Sequence, residues 1–193
     1  AMFRRLASTK SPQGVACAFV RPQPVHLDEI AAIGTRFLVL ENVQDPGNVG
    51  AMVRTADAMG FDGVIVLPGT ADPFGPKAIR SAMGSTFHLP LYVGAGIGEA
   101  VHWLHAAGCR VYAGHLDGKP LEGTGLAVPG AVIIGNEGAG LTKEATGLAD
   151  SLVRIPMRGR AESLNAACAA AILCYSMGMT QENSKEGVSC TPL

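Results

Sequence analysis

The sequence predicts an α/β domain whose sheet is largely parallel. Short apolar runs alternate along the chain with segments of helical periodicity, which is typical of strands joined by helices. Each run is apolar almost throughout, as expected for strands that are covered on both faces. The chain also has 25 glycines among its 193 residues, so many tight turns separate these segments.

The alternation begins at residue 36. The predicted strands are RFLVLEN (36–42), GVIVL (63–67), FHLPLYV (87–93), CRVYAGH (109–115), AVIIG (131–135) and SLVRIP (151–156). Pro90 places the third strand at an edge or an end of the sheet, because proline has no N–H to donate. The predicted helices are GNVGAMVRTADAMG, PKAIRSAMG, IGEAVHWLHAAG, LTKEATGLA and a last helix from residue 163 to about residue 178.

Both ends of the chain differ from this pattern. Residues 1–24 end in RPQP, and the two prolines predict a stiff linker. We therefore expect residues 1–24 to be the tail of an upstream unit. Residues 181–193 are polar and have no periodicity, and we expect them to be disordered. The α/β domain is therefore expected to span residues 25–180.

Composition excludes several classes of protein. The net charge is −1, so any basic surface for nucleic acid must be local, and Arg154, Arg158 and Arg160 form the richest candidate. The longest apolar run, AACAAAILCY at 166–175, is too short to cross a membrane. The histidines lack the spacing of metal ligands, so no metal site is predicted.

The five cysteines form no CxxC pair. An odd number of thiols, most of them in apolar segments, favours reduced cysteines in a cytoplasmic protein over a disulfide framework. Cys168 lies within AACAAA, and we expect it to pack in the core.

Ligands of open α/β sheets bind beyond the carboxyl ends of the strands, and three strand-to-helix turns are rich in polar residues. The first is ENVQDPGNVGAMVRTADAMG (41–60), in which Asn48 is a candidate helix cap. Helical geometry puts Arg54 on a stripe of glycine and alanine, where a backbone or a ligand could approach closely. A surface arginine on an ordinary helix explains this segment equally well.

The second turn is VIIGNEGAGLTKE (132–144), where Glu137 follows a strand among three glycines. It matches neither a Walker loop nor GxGxxG, so it is a turn that bends sharply or lies against a ligand. The third is PMRGRAESLNAAC (156–168), where Ser163 is a candidate cap and the first-turn amides could bind an anion. A solvated glutamate and a capped helix with a basic loop remain open alternatives for these two turns.

Taken together, DPGNVGAMVRTADAMG, IIGNEGAGL and RIPMRGRAESLNAACAAAI resemble, in order and spacing, the three signature motifs of the SpoU/TrmH family. These proteins are RNA 2′-O-ribose methyltransferases of the SPOUT superfamily. The resemblance covers roughly residues 36–178, and STKSPQGVACAF is similar to the segment that joins the family's N-terminal RNA-binding domain to its catalytic domain. It implies helices on both faces of the sheet, a deep C-terminal trefoil knot, S-adenosylmethionine as the cofactor, and a homodimer that completes the site.

The resemblance also implies roles for individual residues. The expected catalytic set is Arg54, Asn48, Glu137, Ser163 and Asn165. The expected cofactor cradle is Ala113, Gly114, Gly135, Ile155, Met157, Leu164 and Asn165. The expected RNA-binding residues are Arg54, Arg158 and Arg160.

The predicted reaction is methylation of a ribose 2′-OH in rRNA or tRNA. Arginine is an awkward base because its pKa exceeds about 12, so we expect Arg54 to position the RNA phosphate and the 2′-OH, with Asn48, Glu137 and Ser163 orienting it. Two alternatives are a catalytically inactive RNA-binding relative and an enzyme for a phosphorylated metabolite. The second of these predicts a phosphate-binding glycine fingerprint, and the sequence has none.

Overall fold

A computed structural model of the protein describes residues 19–23, 25, 27, 34–121 and 125–179. Its centre is a sheet of six strands in the order β3-β2-β1-β5-β4-β6, and every neighbouring pair is parallel. The strands are β1 (Arg36–Leu40), β2 (Gly63–Val66), β3 (Leu91–Val93), β4 (Arg110–Pro120), β5 (Gly130–Ile134) and β6 (Ser151–Arg154). The predicted parallel α/β sheet is thus confirmed.

Alternation along β1 divides the core into two layers. Leu38 and Leu40 face one side of the sheet, whereas Phe37 and Val39 face the other, and all four are fully buried. Apolar side chains on both faces are the reason that the strands read as unbroken hydrophobic runs.

Five helices accompany the sheet in the part of the chain that the structure describes. They are α1 (Pro46–Ala58), α2 (Pro76–Ala82), α3 (Ile97–Ala106), α4 (Lys143–Leu148) and α5 (Ala166–Met179). Helices α1 and α5 pack in the layer of Leu38, and α3 packs in the layer of Phe37, where Trp103 meets the phenylalanine ring edge to face.

Four strands differ from their predicted bounds by one or two residues at an end, and two strands differ by more. Residues 87–89 do not join β3, because Ser85–Phe87 form a turn of 3-10 helix and Pro90 interrupts the chain. The position of β3 at the sheet edge agrees with the prediction from Pro90. Strand β4 runs on to Pro120 instead of ending at residue 115, because β6 pairs with it again at Lys119 and Pro120 after an irregularity beyond Gly114.

The small residues of α1 bring α2 close to it. A methyl group on Gly50 would overlap the carbonyl oxygen of Ala78, and Ser81 Oγ donates a hydrogen bond of 2.7 Å to the carbonyl oxygen of Gly47. The glycine-rich stripe predicted to admit a backbone therefore admits that of α2.

The predictions for the chain ends, an upstream remnant at 1–24 and a disordered tail at 181–193, lie almost entirely outside the described residues. Among the helices that the structure does describe, none is long and apolar enough to span a membrane.

Candidate functional site

The carboxyl ends of β4, β5 and β6 open into a cleft of about 220 Å³. One wall is the glycine-rich turn after β5, which contributes Gly135, Gly138 and Gly140, and the opposite wall is the segment that leads from β6 into α5. The cleft is lined by Gly114, His115, Leu116, Ile134, Gly135, Asn136, Glu137, Gly138, Gly140, Val153, Arg154, Ile155, Met157, Ser163, Leu164, Ala166, Ala169 and Leu173.

Helix α1 begins beside this cleft. Its N-cap is Asp45, whose carboxylate accepts a hydrogen bond of 2.6 Å from the Gly47 amide, and Pro46 fills the first helical position. The expectation that Asn48 caps the helix is therefore wrong. Proline at the first turn favours an N-cap directly before it, and this leaves the Asn48 side chain free to make tertiary contacts.

Asn48 joins the first turn of α1 to the other two polar segments. Its Nδ2 donates to Glu137 Oε1 at 3.0 Å, and its Oδ1 accepts from Asn165 Nδ2 at 3.2 Å. Glu137 also accepts hydrogen bonds of 3.2 Å from the backbone amides of Gln44 and Asp45. Three of the residues that the sequence singles out are thus connected in a single chain of hydrogen bonds.

Asn165 also caps helix α5. Its Oδ1 accepts from the amides of Ala167, at 2.9 Å, and Cys168, at 3.4 Å. Ser163 was expected to be this cap, and that expectation is wrong because the helix starts at Ala166, which puts Asn165 immediately before the first helical residue. Ser163 lines the cleft instead.

The environment of Glu137 favours its carboxylate form. Partial burial raises the pKa of Glu137, but hydrogen bonds from Asn48 and from backbone amides outweigh this effect and hold the pKa below its ordinary value of 4.5. At neutral pH the side chain is therefore a fixed negative charge that accepts hydrogen bonds. It orients the amide of Asn48 and is a weak proton acceptor.

The segment 155–164 has an unusual backbone. Within the described part of the chain, no hydrogen bond joins any of its residues to another residue, and all but Ile155 are exposed. Its N–H and C=O groups are therefore available to a ligand or a partner. Arg158 and Arg160 lie on this segment, and neither is among the residues that line the cleft.

The remaining expected site residues fall into two groups, those that line the cleft and those that do not. Gly114, Gly135, Ile155, Met157 and Leu164 line it, as a cofactor cradle requires. Ala113 does not: it is fully buried and its backbone pairs with Ile133 and Leu152 inside the sheet, so its neighbour Gly114 is the residue that reaches the cleft. The side chain of Arg54 is exposed on α1 and makes no hydrogen bond or ion pair with another described residue.

Two residues of this region have roles that the sequence reading did not assign. Asn136 donates from Nδ2 to the carbonyl oxygen of Asn42 at 2.8 Å and accepts from the amides of Gly138 and Ala139. Glu41, which is 4% exposed, binds Thr142 at the far end of the same turn. The available signal was a polar residue close to the end of each of two apolar strands: Glu41 follows β1 directly, and Asn136 follows β5 after one glycine.

The cysteines divide into two kinds. Burial raises the pKa of Cys109 to about 11 and that of Cys174 to about 12, so both are protonated thiols at neutral pH. Cys168 is exposed on the outer side of α5, which contradicts the expectation that it packs in the core. No three acidic, histidine or cysteine side chains within the described ranges could hold a metal ion together.

The fold and the site define a parallel α/β protein with a ligand cleft at the strand ends and a carboxamide–carboxylate network at its mouth. The sequence profile of the SpoU rRNA Methylase family matches residues 35–175, and the chain belongs to this family.

Individual relatives agree with this assignment. The chain is 41% identical over 176 residues to the 23S rRNA (guanosine(2553)-2′-O)-methyltransferase RlmP of Bacillus subtilis (strain 168), covering 91% of this chain and 68% of that protein. Its structure is similar to that of the AdoMet-bound rRNA methyltransferase from Sinorhizobium meliloti, with a TM-score of 0.74 and 35% identity over 85% of this chain and 62% of the other. It is also similar to the SpoU methyltransferase AviRb from Streptomyces viridochromogenes, with a TM-score of 0.75 and 33% identity over 84% and 65% of the two chains.

The chain is shorter than these proteins. It spans 68%, 64%, 50% and 62% of the length of four curated relatives.

Proposed function

We propose that this protein transfers the methyl group of S-adenosylmethionine to a ribose 2′-OH of rRNA or tRNA. The observation that carries the proposal is the hydrogen-bonded set of Asn48, Glu137 and Asn165 at the mouth of the cleft, in a chain of the SpoU family. The relative from Bacillus subtilis is named as a ribose methyltransferase of 23S rRNA, and the structure from Sinorhizobium meliloti holds AdoMet.

The cleft fits an adenosine-bearing cofactor. Its apolar side, with Ile134, Val153 and Leu173, suits a flat base, and the glycines of the turn after β5 expose backbone groups to a polar ligand. Gly140 has open space where a side chain would project. The residues proposed to hold the cofactor are Gly114, Gly135, Ile155, Met157 and Leu164, and Asn165 fixes the start of α5 beside them.

The chemistry requires placement and a route for one proton. When bound, S-adenosylmethionine supplies a methyl group on a sulfonium, which is already an activated leaving group. The 2′-OH is a weak nucleophile and must lose its proton as the new O–CH₃ bond forms. We assign Arg54 to bind the RNA phosphate and the 2′-OH. Its positive charge would stabilise the negative charge that develops on the 2′ oxygen, and Arg54 itself would not accept the proton.

The polar network orients the side chains at the mouth of the cleft. Glu137 fixes Asn48 with its Nδ2 towards the carboxylate, and Asn48 in turn fixes Asn165. Each of the two carboxamides retains one N–H that is not used within the network, and these N–H groups are available to the ribose or the cofactor. Ser163, which lines the cleft, is proposed as a further hydrogen-bonding group for the substrate.

RNA would approach over the segment 155–164. Arg158 and Arg160 are exposed there, in a chain whose net charge is only −1, so they supply a local positive surface next to the cleft. We propose that both contact RNA phosphates.

A homodimer is part of the proposal because α5 has an apolar outer stripe. On this helix Cys168 is exposed, and Ile172 and Tyr175 are 37% and 55% exposed, at a spacing of four and three residues that puts the three on one side. Leu164, which is 37% exposed, lies just before the helix. An exposed apolar stripe on an otherwise buried helix is typical of a subunit interface. It continues into the segment 155–164, so a second copy would lie close to the cleft.

The trefoil knot implied by the family is likewise a proposal. It is supported by contacts of α5 with residues before and at the start of β5: the Leu126 amide donates to the carbonyl oxygen of Ser176 at 3.3 Å, and a methyl group on Gly130 would lie 2.9 Å from Met177 Cε.

The proposed organisation of the chain keeps the expected bounds. Residues 25–180 are the proposed catalytic domain. The cytoplasm is the proposed location, since RNA is the substrate and two of the thiols are buried and protonated.

The alternative is an RNA-binding relative without activity, and the hydrogen-bonded network argues against it. Two measurements decide between them. Calorimetry with S-adenosylmethionine tests the cofactor, and transfer of labelled methyl to total RNA, followed by mapping of 2′-O-methylated positions with and without the gene, tests the reaction. Cofactor binding without any methyl transfer would favour the inactive relative.

A further inference from the structure

Glu41 is a buried acid that none of the steps above uses. It follows β1 directly and is 4% exposed. Its Oε1 accepts from Thr142 Oγ1 at 2.7 Å, and its Oε2 accepts from the Thr142 amide at 2.9 Å. Burial of a carboxylate is costly unless specific donors compensate it, so this two-point contact fixes the relative position of two chain segments.

Thr142 ends the turn after β5 and begins α4. Its hydroxyl donates to Glu41 and accepts from the Ala145 amide at 3.1 Å, so its hydrogen-bonding capacity is used in both directions. At the near end of the turn, Asn136 binds the Asn42 carbonyl oxygen at 2.8 Å. The turn is therefore tied to the segment after β1 at both of its ends.

The residues between the two ties are those of the proposed site. Gly138 and Gly140 line the cleft, and Glu137 holds Asn48. The hydrogen bonds of Glu137 are exposed and measure 3.0 to 3.2 Å, so water competes with them. The contact between Glu41 and Thr142 is shorter, at 2.7 and 2.9 Å, and its acceptor Glu41 is only 4% exposed, which makes it a stronger restraint on this turn than the hydrogen bonds of Glu137.

We propose that Glu41 is a positioning residue: through Thr142 it sets the place of Glu137 and of the glycine wall of the cleft, and thereby the affinity for the cofactor and the rate of methyl transfer. For the identity of the molecules that bind at the site, the inference rests on the proposed function. Its structural part, the restraint of the turn by Glu41, stands on the contacts alone.

The test uses the full chain and four variants. Glu41→Gln has the same shape but presents an NH₂ group to one of the two Thr142 donors. Thr142→Val removes the hydroxyl, Thr142→Ser keeps it, and the fourth variant combines Glu41→Gln with Thr142→Val. For Glu41→Gln and Thr142→Val we expect the Kd for S-adenosylmethionine to rise roughly tenfold or more and the rate at saturation to fall, since a small misplacement is costly at a reacting centre. Thr142→Ser should behave as the wild type. The Kd and the rate of the double variant should be no worse than those of the more impaired of the two single variants.

A second measurement needs neither cofactor nor RNA. Hydrogen exchange at the amides of Asn136 and Gly140, which are paired with each other's carbonyl oxygens at 3.0 Å, should speed up in Glu41→Gln. The matched control is Glu144→Gln, which removes an exposed carboxylate two residues beyond Thr142 and should leave exchange, affinity and rate unchanged.

Several outcomes would overturn the inference. One is a Glu41→Gln protein that is less heat-stable but keeps the wild-type Kd, saturating rate and exchange well below its melting temperature. Another is effects of the two single changes that simply add. If Glu41→Gln does not fold, the comparison of Thr142→Val with Thr142→Ser decides. If hydrogen exchange is faster in Glu41→Gln than in the wild type, as expected, but the wild type transfers no methyl group, the result counts against the proposed function. It leaves the positioning role of Glu41 intact.

Discussion

Asn48 and Asn165 lie 117 positions apart in the chain, and a hydrogen bond of 3.2 Å joins Asn165 Nδ2 to Asn48 Oδ1. Asn165 thereby performs two tasks, because its other side-chain atom, Oδ1, caps α5. The amides of α5, Asn165, Asn48 and Glu137 form a chain in which each donor faces an acceptor. Reversal of one member would place two acceptors face to face.

The two tasks of Asn165 can be separated. Asn165→Asp keeps a capping oxygen but directs a second oxygen at Asn48, so we expect near-normal stability with a loss of turnover on the order of a hundredfold. Asn165→Ala removes both the capping oxygen and the hydrogen bond to Asn48. Besides the loss of turnover, it should cost about 1 kcal/mol of stability from the lost cap. Urea unfolding and methyl transfer at saturating substrate measure the two effects. Equal activity of the Asp variant and the wild type would refute the role of the network.

Arg54 can be tested by a change that keeps its charge. Arg54→Lys retains a cation but loses the planar fork that binds a phosphate at two points, so we expect most turnover to disappear while the affinity for S-adenosylmethionine stays at the wild-type value. The Arg54 side chain is exposed and makes no hydrogen bond with the described residues, so the fold should be unaffected. Full activity of Arg54→Lys would show that Arg54 has no part in catalysis.

The strands and the approximate site could be read from the sequence because both rest on local patterns. Apolar runs marked the strands, and polar residues after them marked the edge at which Asn48, Glu137 and Asn165 meet. The helix caps could not be assigned in the same way. Asp45, Asn48, Ser163 and Asn165 all have side chains that can cap, and the choice depends on where each helix begins.

Tertiary packing decided the other differences. The end of β4 is set by its second pairing with β6 at Lys119, a contact between segments more than thirty residues apart. The glutamate of ENVQDP has no sequence feature that marks it as buried, because its partner Thr142 lies 101 positions away. Cys168 sits in an alanine-rich run that is buried on one side only, and the run alone does not show which side that is.

Gly50 is required by the contact of α1 with α2. Gly50→Ala would drive a methyl group into the backbone of Ala78, which cannot move without displacing α2, so we expect a loss of about 1–3 kcal/mol or more. The matched control is Gly147→Ala in α4, where no atom lies within 4 Å of the added methyl group. This change should be neutral or stabilising by roughly 0.5–1 kcal/mol. Urea unfolding of both variants measures the difference, and similar stabilities would contradict the packing argument.

Acid stability should depend on Asp150. Burial raises its pKa, but hydrogen bonds from the Val111 amide and from His105 outweigh this and leave the pKa below 3.8. A depressed pKa adds stability that is fully present above the ordinary pKa and is lost as the pH falls through the folded value. We therefore expect the free energy of unfolding of the wild type to exceed that of Asp150→Asn by the full contribution of the carboxylate at about pH 5. The gap should shrink below pH 3.8, and a gap that persists at lower pH would mean that it has another cause.

The proposed dimer can be tested on the outer stripe of α5. Ile172→Glu places a charge in an apolar surface without entering the core, because Ile172 is 37% exposed, so we expect a folded monomer in sedimentation experiments where the wild type is a dimer. Since the stripe borders the segment 155–164, the monomer should also bind S-adenosylmethionine more weakly and lose methyl transfer. Glu99→Lys, an equally drastic change at an exposed position of α3, serves as the control and should remain dimeric and active. A wild type that sediments as a monomer at micromolar concentration would remove the dimer from the proposal, and an Ile172→Glu dimer would place the interface on another surface.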